Sequence, residues 1–335
     1  MQVNRYLGIF IFVFGIIGNT LNVLVLSQRP LCLNPCAWLF LISSIANSIG
    51  ILAGIISRFL STWALDLTNT NQFLCKIRAF LLFDGITIGS WLIALATIDR
   101  WLSSNINVIR RQQSTLKNAQ RSTILVVILS TIIQTQQLYC FEANLTNTPL
   151  KCYTQTIVCG IISDVCFALV TILFPIIVMF IFGLMTISNV RKTQSRLQPE
   201  TLTMNARNGH ESTITNMRNP LQRKKSDRHL LIMLFIQVLL ILLFTLPLSA
   251  YKLYSTLTRN VLKSTLQNTI ENFMFNIFLL ALYVSCGMPF YIYTLSGGRV
   301  FLKNVVNSQF LAVERANMTK AQQGRTYKRY SKECK

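Results

Sequence analysis

The amino-acid sequence predicts an all-α membrane protein, a seven-transmembrane helix bundle with its N-terminus outside, on three observations. Apolar runs of about twenty residues recur seven times, and 52% of the residues are hydrophobic while 13% are charged, against about 45–50% and about 25% in soluble domains. The basic residues gather in alternate connecting segments. No soluble domain and no internal repeat of the kind that marks many transporters interrupts the pattern.

A hydrocarbon layer of roughly 30 Å takes about 20 apolar residues of helix, and backbone left unpaired in lipid is prohibitively costly, so each run reads as a spanning helix. The first, Tyr6 to Leu26, follows the opening residues directly and has no small-residue cleavage site, which makes it a retained helix rather than a signal peptide. The second is Ala37 to Ile56 and the third Leu74 to Ala96. The fourth, Thr123 to Tyr139, is the weak one: it is cleanly apolar only from Ile124 to Ile133 before Gln134, Gln136 and Gln137 intervene. Hydropathy alone leaves it open as a buried or re-entrant segment. Ile157 to Ile187, Leu230 to Tyr251 and Phe273 to Thr294 complete the set.

The net charge of +21 would suggest nucleic acid as a partner for a soluble protein, but its location excludes that. Of the 32 Lys and Arg, 24 fall at Arg29, in Arg100 to Arg121, in Arg191 to Arg228 and from Arg299 onward; the other eight fall in the alternate loops and the N-terminus. Positive charge marks the cytoplasmic side. The second and third basic segments share a side only if two spans separate them, so the weak fourth run crosses.

The resulting layout is a membrane domain over 1–310, a mobile polar cytoplasmic loop over 188–227 and a basic cytoplasmic tail over 311–335. Arg223, Lys224, Lys225 and Arg228 before the sixth span read first as topogenic charge attracted to anionic lipid, and second as a dock for a cytosolic partner. At about 297–307, Val300, Phe301 and Val305 beside Arg299 and Lys303 predict an amphipathic helix on the inner leaflet, too short to cross. The sequon at Asn144 lies outside and can carry glycan, whereas that at Asn317 is cytoplasmic. Cys75, Cys140 and Cys152 belong to the extracellular side, and the odd total of nine cysteines leaves at least one unpaired.

Asp99-Arg100-Trp101 stands at the inner end of the third span, and Cys75 lies 25 residues before Arg100, about 37 Å of helix, which puts one at each membrane face. In this the chain resembles the rhodopsin-like (class A) family of G-protein-coupled receptors, whose Asp-Arg-Tyr motif and outer cysteine have the same separation. Gly18-Asn19 with Val23 is similar to the family's first-helix signature, and Pro175, Pro247 and Pro289 to its fifth-, sixth- and seventh-helix prolines. The resemblance implies a Cys75–Cys152 disulfide. It also implies a latch of Asp99, Arg100 and Asp227 that ties the third helix to the sixth and couples to a G protein when it opens, with Trp101 beside it. Arg100 snorkelling to the interface is the plainer reading. The three prolines are candidate pivots, or simply fixed bends.

The chain departs from the family in its core. Asn47 stands for the second-helix Asp, Thr245 for the sixth-helix Trp, and Met288 and Ile292 for the Asn and Tyr around Pro289. With that carboxylate missing, an internal sodium site is not expected. Leu82 occupies the position where amine receptors carry Asp, which disfavours an amine, and the absence of Lys from Phe273 to Thr294 excludes an opsin. Asp164, Glu271 and Glu142 offer acidic partners to a basic ligand such as an Arg-containing short peptide, although Asp164 could equally be solvated or paired with an Arg such as Arg78. The Pro289 to Gly297 string resembles divergent invertebrate peptide or orphan receptors, so the resemblance implies a plasma-membrane neuropeptide-type receptor with a heterotrimeric G protein as partner. The competing class is a transporter or ligand-gated channel. No arrangement for covalent catalysis, metal or cofactor binding stands out, so no enzyme activity is expected.

Overall fold

The structure is a computed structural model that describes residues 2–28, 31–61, 70–145, 151–204, 218–258, 261 and 264–292. The elements in order are α1 (Gln2–Leu26), a 3-10 turn (Leu31–Leu33), α2 (Pro35–Ser61), α3 (Gln72–Ser103), α4 (Val108–Gln112), α5 (Leu116–Gln134) and α6 (Gln136–Cys140). An antiparallel hairpin of β1 (Phe141–Glu142) and β2 (Tyr153–Thr154) follows, pairing Phe141 with Thr154. Then come α7 (Ile157–Cys166), a π-helical segment (Phe167–Leu173), α8 (Phe174–Met204), α9 (Arg218–Leu257) and α10 (Thr265–Gly287). Among the described residues seven helices are long and apolar enough to cross a membrane, the fourth being α5 with α6 and the fifth α7 through the start of α8.

Local signals place the ends. Asn71, Thr115, Thr156 and Ser264 each cap a helix by accepting from backbone N–H groups that have no partner inside the helix. Pro35 opens α2, where its missing N–H is no loss. The helices outrun the apolar runs: α3 extends to Ser103 and so includes Asp99-Arg100-Trp101, α8 continues past Ser188 to Met204, and α9 continues past Tyr251 to Leu257. Hydropathy reads the length that lipid covers, whereas helical hydrogen bonding persists into the polar region. The expected amphipathic helix at 297–307 and the tail from 311 lie outside the described residues, as do residues 205–217 of the cytoplasmic loop.

α3 lies at the centre, packed against α2, α5, α6, the π segment and α8. Small residues bring the backbones close: a Cβ on Gly85 would lie 2.7 Å from Ala46 O on α2, and one on Gly287 would lie 2.6 Å from Gly15 Cα on α1. Close approach of this kind replaces the hydrophobic drive that lipid removes. Asn19 Nδ2 adds a bond to Cys286 O (3.2 Å) across the second of these contacts.

The fourth span shows why its hydropathy is weak. Ile132 is 65% exposed, while Gln134 and Gln137 are 1% and 0% exposed. The aliphatic face meets lipid and the glutamines point into the bundle, where Gln134 Nε2 donates to Thr87 Oγ1 (2.8 Å) and Gln137 Nε2 to Gln134 Oε1 (3.3 Å). Ser163 Oγ donates to Gln137 Oε1 (3.2 Å), and the Thr87 and Thr171 hydroxyls meet at 2.8 Å. One polar chain thus links the third, fourth and fifth spans. The same neighbours accommodate the π segment, whose wider turn turns carbonyls out of the regular ladder: Val170 O accepts from Trp91 Nε1 (2.9 Å) and Thr171 O from Ser90 Oγ (3.0 Å).

Candidate functional site

Two regions carry the chemistry-bearing side chains, a cavity at the outer end and a polar cluster at the inner end. The outer one is built on Cys75 in the first turn of α3, which is bonded to Cys152 next to β2. That bond draws the hairpin over the bundle, so Phe141, Cys152 and Tyr153 form part of the cavity wall. The rest comes from α3 (Arg78, Leu82), the π segment (Phe167), α9 (Leu248, Lys252) and α10 (Leu279). A second disulfide, Cys140–Cys159, ties the end of α6 to the first turn of α7. The sequence placed Cys140 outside without a partner because Cys159 falls within an apolar run.

Leu82 lies on the cavity wall. Asp164 does not: it is 3% exposed, its Oδ1 is 2.8 Å from Lys252 Nζ, and its Oδ2 accepts from Thr256 Oγ1. The alternative pairing with Arg78 is not what the structure shows, since Arg78 Nε donates to Ala53 O (3.3 Å). Lys252 is buried, and its ammonium stands 4.8 Å and 5.1 Å from the ring centroids of Phe83 and Phe167. Aromatic faces at that range attract a cation. Sequence reasoning missed Lys252 because it stands one residue past the end of the sixth apolar run and counted only as a loop charge; its position five residues after Pro247 was the available signal. Glu271 accepts from the Tyr254 hydroxyl and from Gln267 Nε2, each at 3.2 Å, and is not part of the cavity wall. Glu142 sits in β1. Asn144, at the turn after β1, has a left-handed backbone (φ 61°), which Asn tolerates better than most residues, and its Nδ2 donates to Thr70 O.

At the inner end, Asp99 Oδ1 accepts from Ser114 Oγ (2.6 Å), and Arg100 Nε donates to Cys36 Sγ (3.1 Å) at the start of α2. Trp101 packs edge-on to Phe182 of α8 with centroids 5.1 Å apart, and the Arg110 guanidinium lies over its ring. Asp227 belongs to α9, but its side chain lies outside the described residues. The three prolines sit differently. Pro175 is in the first turn of α8 directly after the π segment, Pro247 is inside α9, and Pro289 follows the end of α10 at Gly287. A proline lacks the N–H that would continue the ladder; the chain resumes beyond Pro289 with Ile292 N donating to Met288 O (3.1 Å). Near Pro247, Thr245 Oγ1 donates to Ile241 O (2.7 Å).

Among the described residues no three His, Cys, Asp or Glu side chains stand together in a way that could hold a metal ion. The arrangement is that of a small outer cavity joined by helices to a polar inner face. A family model described as 7 transmembrane receptor (rhodopsin family) matches residues 18–293. A comparison with curated proteins gives no match.

Proposed function

The chain belongs to the rhodopsin family of seven-transmembrane receptors, and from that premise we propose that it binds a short extracellular peptide in the cavity beneath the hairpin and signals by parting the inner ends of its third and sixth helices. Membership makes it a multi-pass plasma-membrane receptor, not an enzyme, which answers an extracellular ligand through a heterotrimeric G protein. The observation that carries the finer reading is the cavity itself. It is walled by α3, the π segment, α9 and α10, closed above by a disulfide-held hairpin, and presents Leu82 where an amine-recognising acid would stand.

A ligand shifts such a bundle only by binding one of its states more tightly than the other. α9 touches the cavity through Leu248 and Lys252 and carries Pro247 next to them. A change in how the outer part of α9 packs is therefore passed to its inner part across a weakened ladder. At the inner end the proposed latch is Asp99, Arg100 and Asp227, with Pro175, Pro247 and Pro289 as pivots. The reading is tested by a peptide and small-molecule screen with a promiscuous G-protein readout in cells, with Arg100→Ala as control. A ligand response lost in that variant supports it, and a ligand-gated current without G protein overturns it. Asp227→Ala should raise ligand-independent signalling; an unchanged basal level at equal surface expression would remove Asp227 from the latch.

A further inference from the structure

Among the described residues the cavity wall contains two cationic side chains, Arg78 and Lys252, and no Asp or Glu; every other described lining residue is uncharged. Asp164 is buried off the wall and is bonded to Lys252 and to Thr256. We propose that the ligand carries a carboxylate on an apolar body, and that this carboxylate takes Lys252 over from Asp164. The proposal rests on the reading that this cavity is the ligand site. It reverses the sign of the ligand expected from the acidic residues alone.

A buried ammonium needs a counter-ion, because the low dielectric around it cannot replace water. Asp164 supplies one at 2.8 Å, but an ammonium has three N–H groups and a single carboxylate oxygen engages one of them. Phe83 and Phe167 hold the charge against their faces at the cavity edge without consuming a hydrogen bond. A carboxylate arriving from the cavity therefore meets a cation already desolvated and oriented. Arg78, a turn below the Cys75 disulfide, lies on the same wall, where its Nε donates to Ala53 O. A ligand ammonium would meet the like charge of Lys252 there. The apolar remainder of the wall, including Leu82, Leu248 and Leu279, suits a hydrocarbon or aromatic body.

The exchange has a mechanical consequence. Asp164 is on α7, while Lys252 and Thr256 are on α9, so this cluster joins the outer ends of the fifth and sixth spans. Moving Lys252 from Asp164 to the ligand releases that joint directly above Pro247. Asp164 thus acts as an internal stand-in for the ligand carboxylate, and its removal should favour both acid binding and the released state.

The test uses the full chain purified in detergent micelles and, in parallel, cells with a G-protein readout. The probes are N-acetylated di- to tetrapeptides of Phe, Leu and Ile, each as free acid and as C-terminal amide, together with 3-phenylpropionate. Thermal stabilisation should favour the acids over their amides by tenfold or more in concentration. Acid peptides active without phenylpropionate would assign the carboxylate to a peptide C-terminus; equal competition by phenylpropionate would assign it to a small organic acid; both support the proposal. Since Lys252→Ala strands Asp164 and can fail to fold, the informative variants are the neutral pair D164N/K252Q and the charge exchange D164K/K252D. Both should fold and lose the preference for acids, and D164N alone should bind acids more tightly. Amides binding as well as acids, a preference that survives the charge exchange, or no binding by any acid at about 1 mM overturns the proposal. Acid-selective binding with no G-protein signal would overturn the receptor reading and leave this site standing; signalling to other ligands with no acid binding would do the reverse.

Discussion

Gln134→Leu tests whether the buried polar chain holds the third, fourth and fifth spans together. The substitution keeps the volume close to native and raises the hydropathy of the weakest span, so membrane insertion by itself should improve. In the folded state it deletes the bond from Gln134 Nε2 to Thr87 Oγ1 (2.8 Å) and removes the oxygen that accepts from Gln137 Nε2 (3.3 Å). Interhelical hydrogen bonds in membranes average about 0.6 kcal/mol and reach about 1.7, and a stranded buried donor costs about 1–3 kcal/mol. Gln137 is 0% exposed, so water cannot rescue its amide. The expected loss is about 1–3 kcal/mol, on the order of 2–6 °C in melting temperature. The double variant Q134L/Q137L removes the stranded amide as well and leaves only Ser163 Oγ without its acceptor, so it should be no less stable than the single one. Thermal unfolding of purified protein in one detergent, read from the exposure of buried cysteines, measures all three. A single variant as stable as the native protein, or a double variant clearly less stable than the single one, would refute the coupling.

Gly85→Ala should lower stability by about 1–3 kcal/mol through overpacking against Ala46 O, whereas Gly183→Ala, with nothing within 4 Å of the new carbon, should leave it unchanged or raise it by up to about 1 kcal/mol; melting temperatures of the two check this. The paired substitution C140S/C159S opens a loop closed across 19 residues and should cost about 3 kcal/mol, seen as a lower melting temperature and as easier proteolysis of the hairpin. Asn144→Gln should abolish an electrophoretic shift sensitive to glycosidase while leaving surface expression largely intact, since Asn144 is exposed at a turn; a persistent shift would place the glycan elsewhere.

The fourth span marks the limit of what hydropathy could read. Its polar residues lowered the signal because they serve tertiary contacts, and a one-dimensional average counts an inward glutamine as it would a lipid-facing one. Charge parity recovered the crossing where hydropathy failed. The candidate site divides in the same way. Cys75, Cys152 and Leu82 could be located from spacing and resemblance, and the structure puts Leu82 and Cys152 on the cavity wall, with Cys75 bonded to Cys152. Asp164 was visible as an acid in an apolar run, but its partner lies 88 residues away, and Lys252 looked like a loop charge. The inner cluster was legible as Asp99-Arg100-Trp101, yet nothing in the spacing pointed to Cys36 or Ser114 as the groups bonded to it.

By itself the sequence determined how many times the chain crosses, which side each loop occupies and that the bundle is helical. These follow from the cost of placing charge or unpaired backbone in lipid, which every residue meets independently of its distant neighbours. Only the tertiary structure decided which polar groups meet: Gln134 with Thr87, Cys140 with Cys159, Asp164 with Lys252. Inside a membrane a polar side chain must find its partner on another helix, so whether it is a liability, a joint or part of a ligand site depends on rotations and heights that no local pattern records.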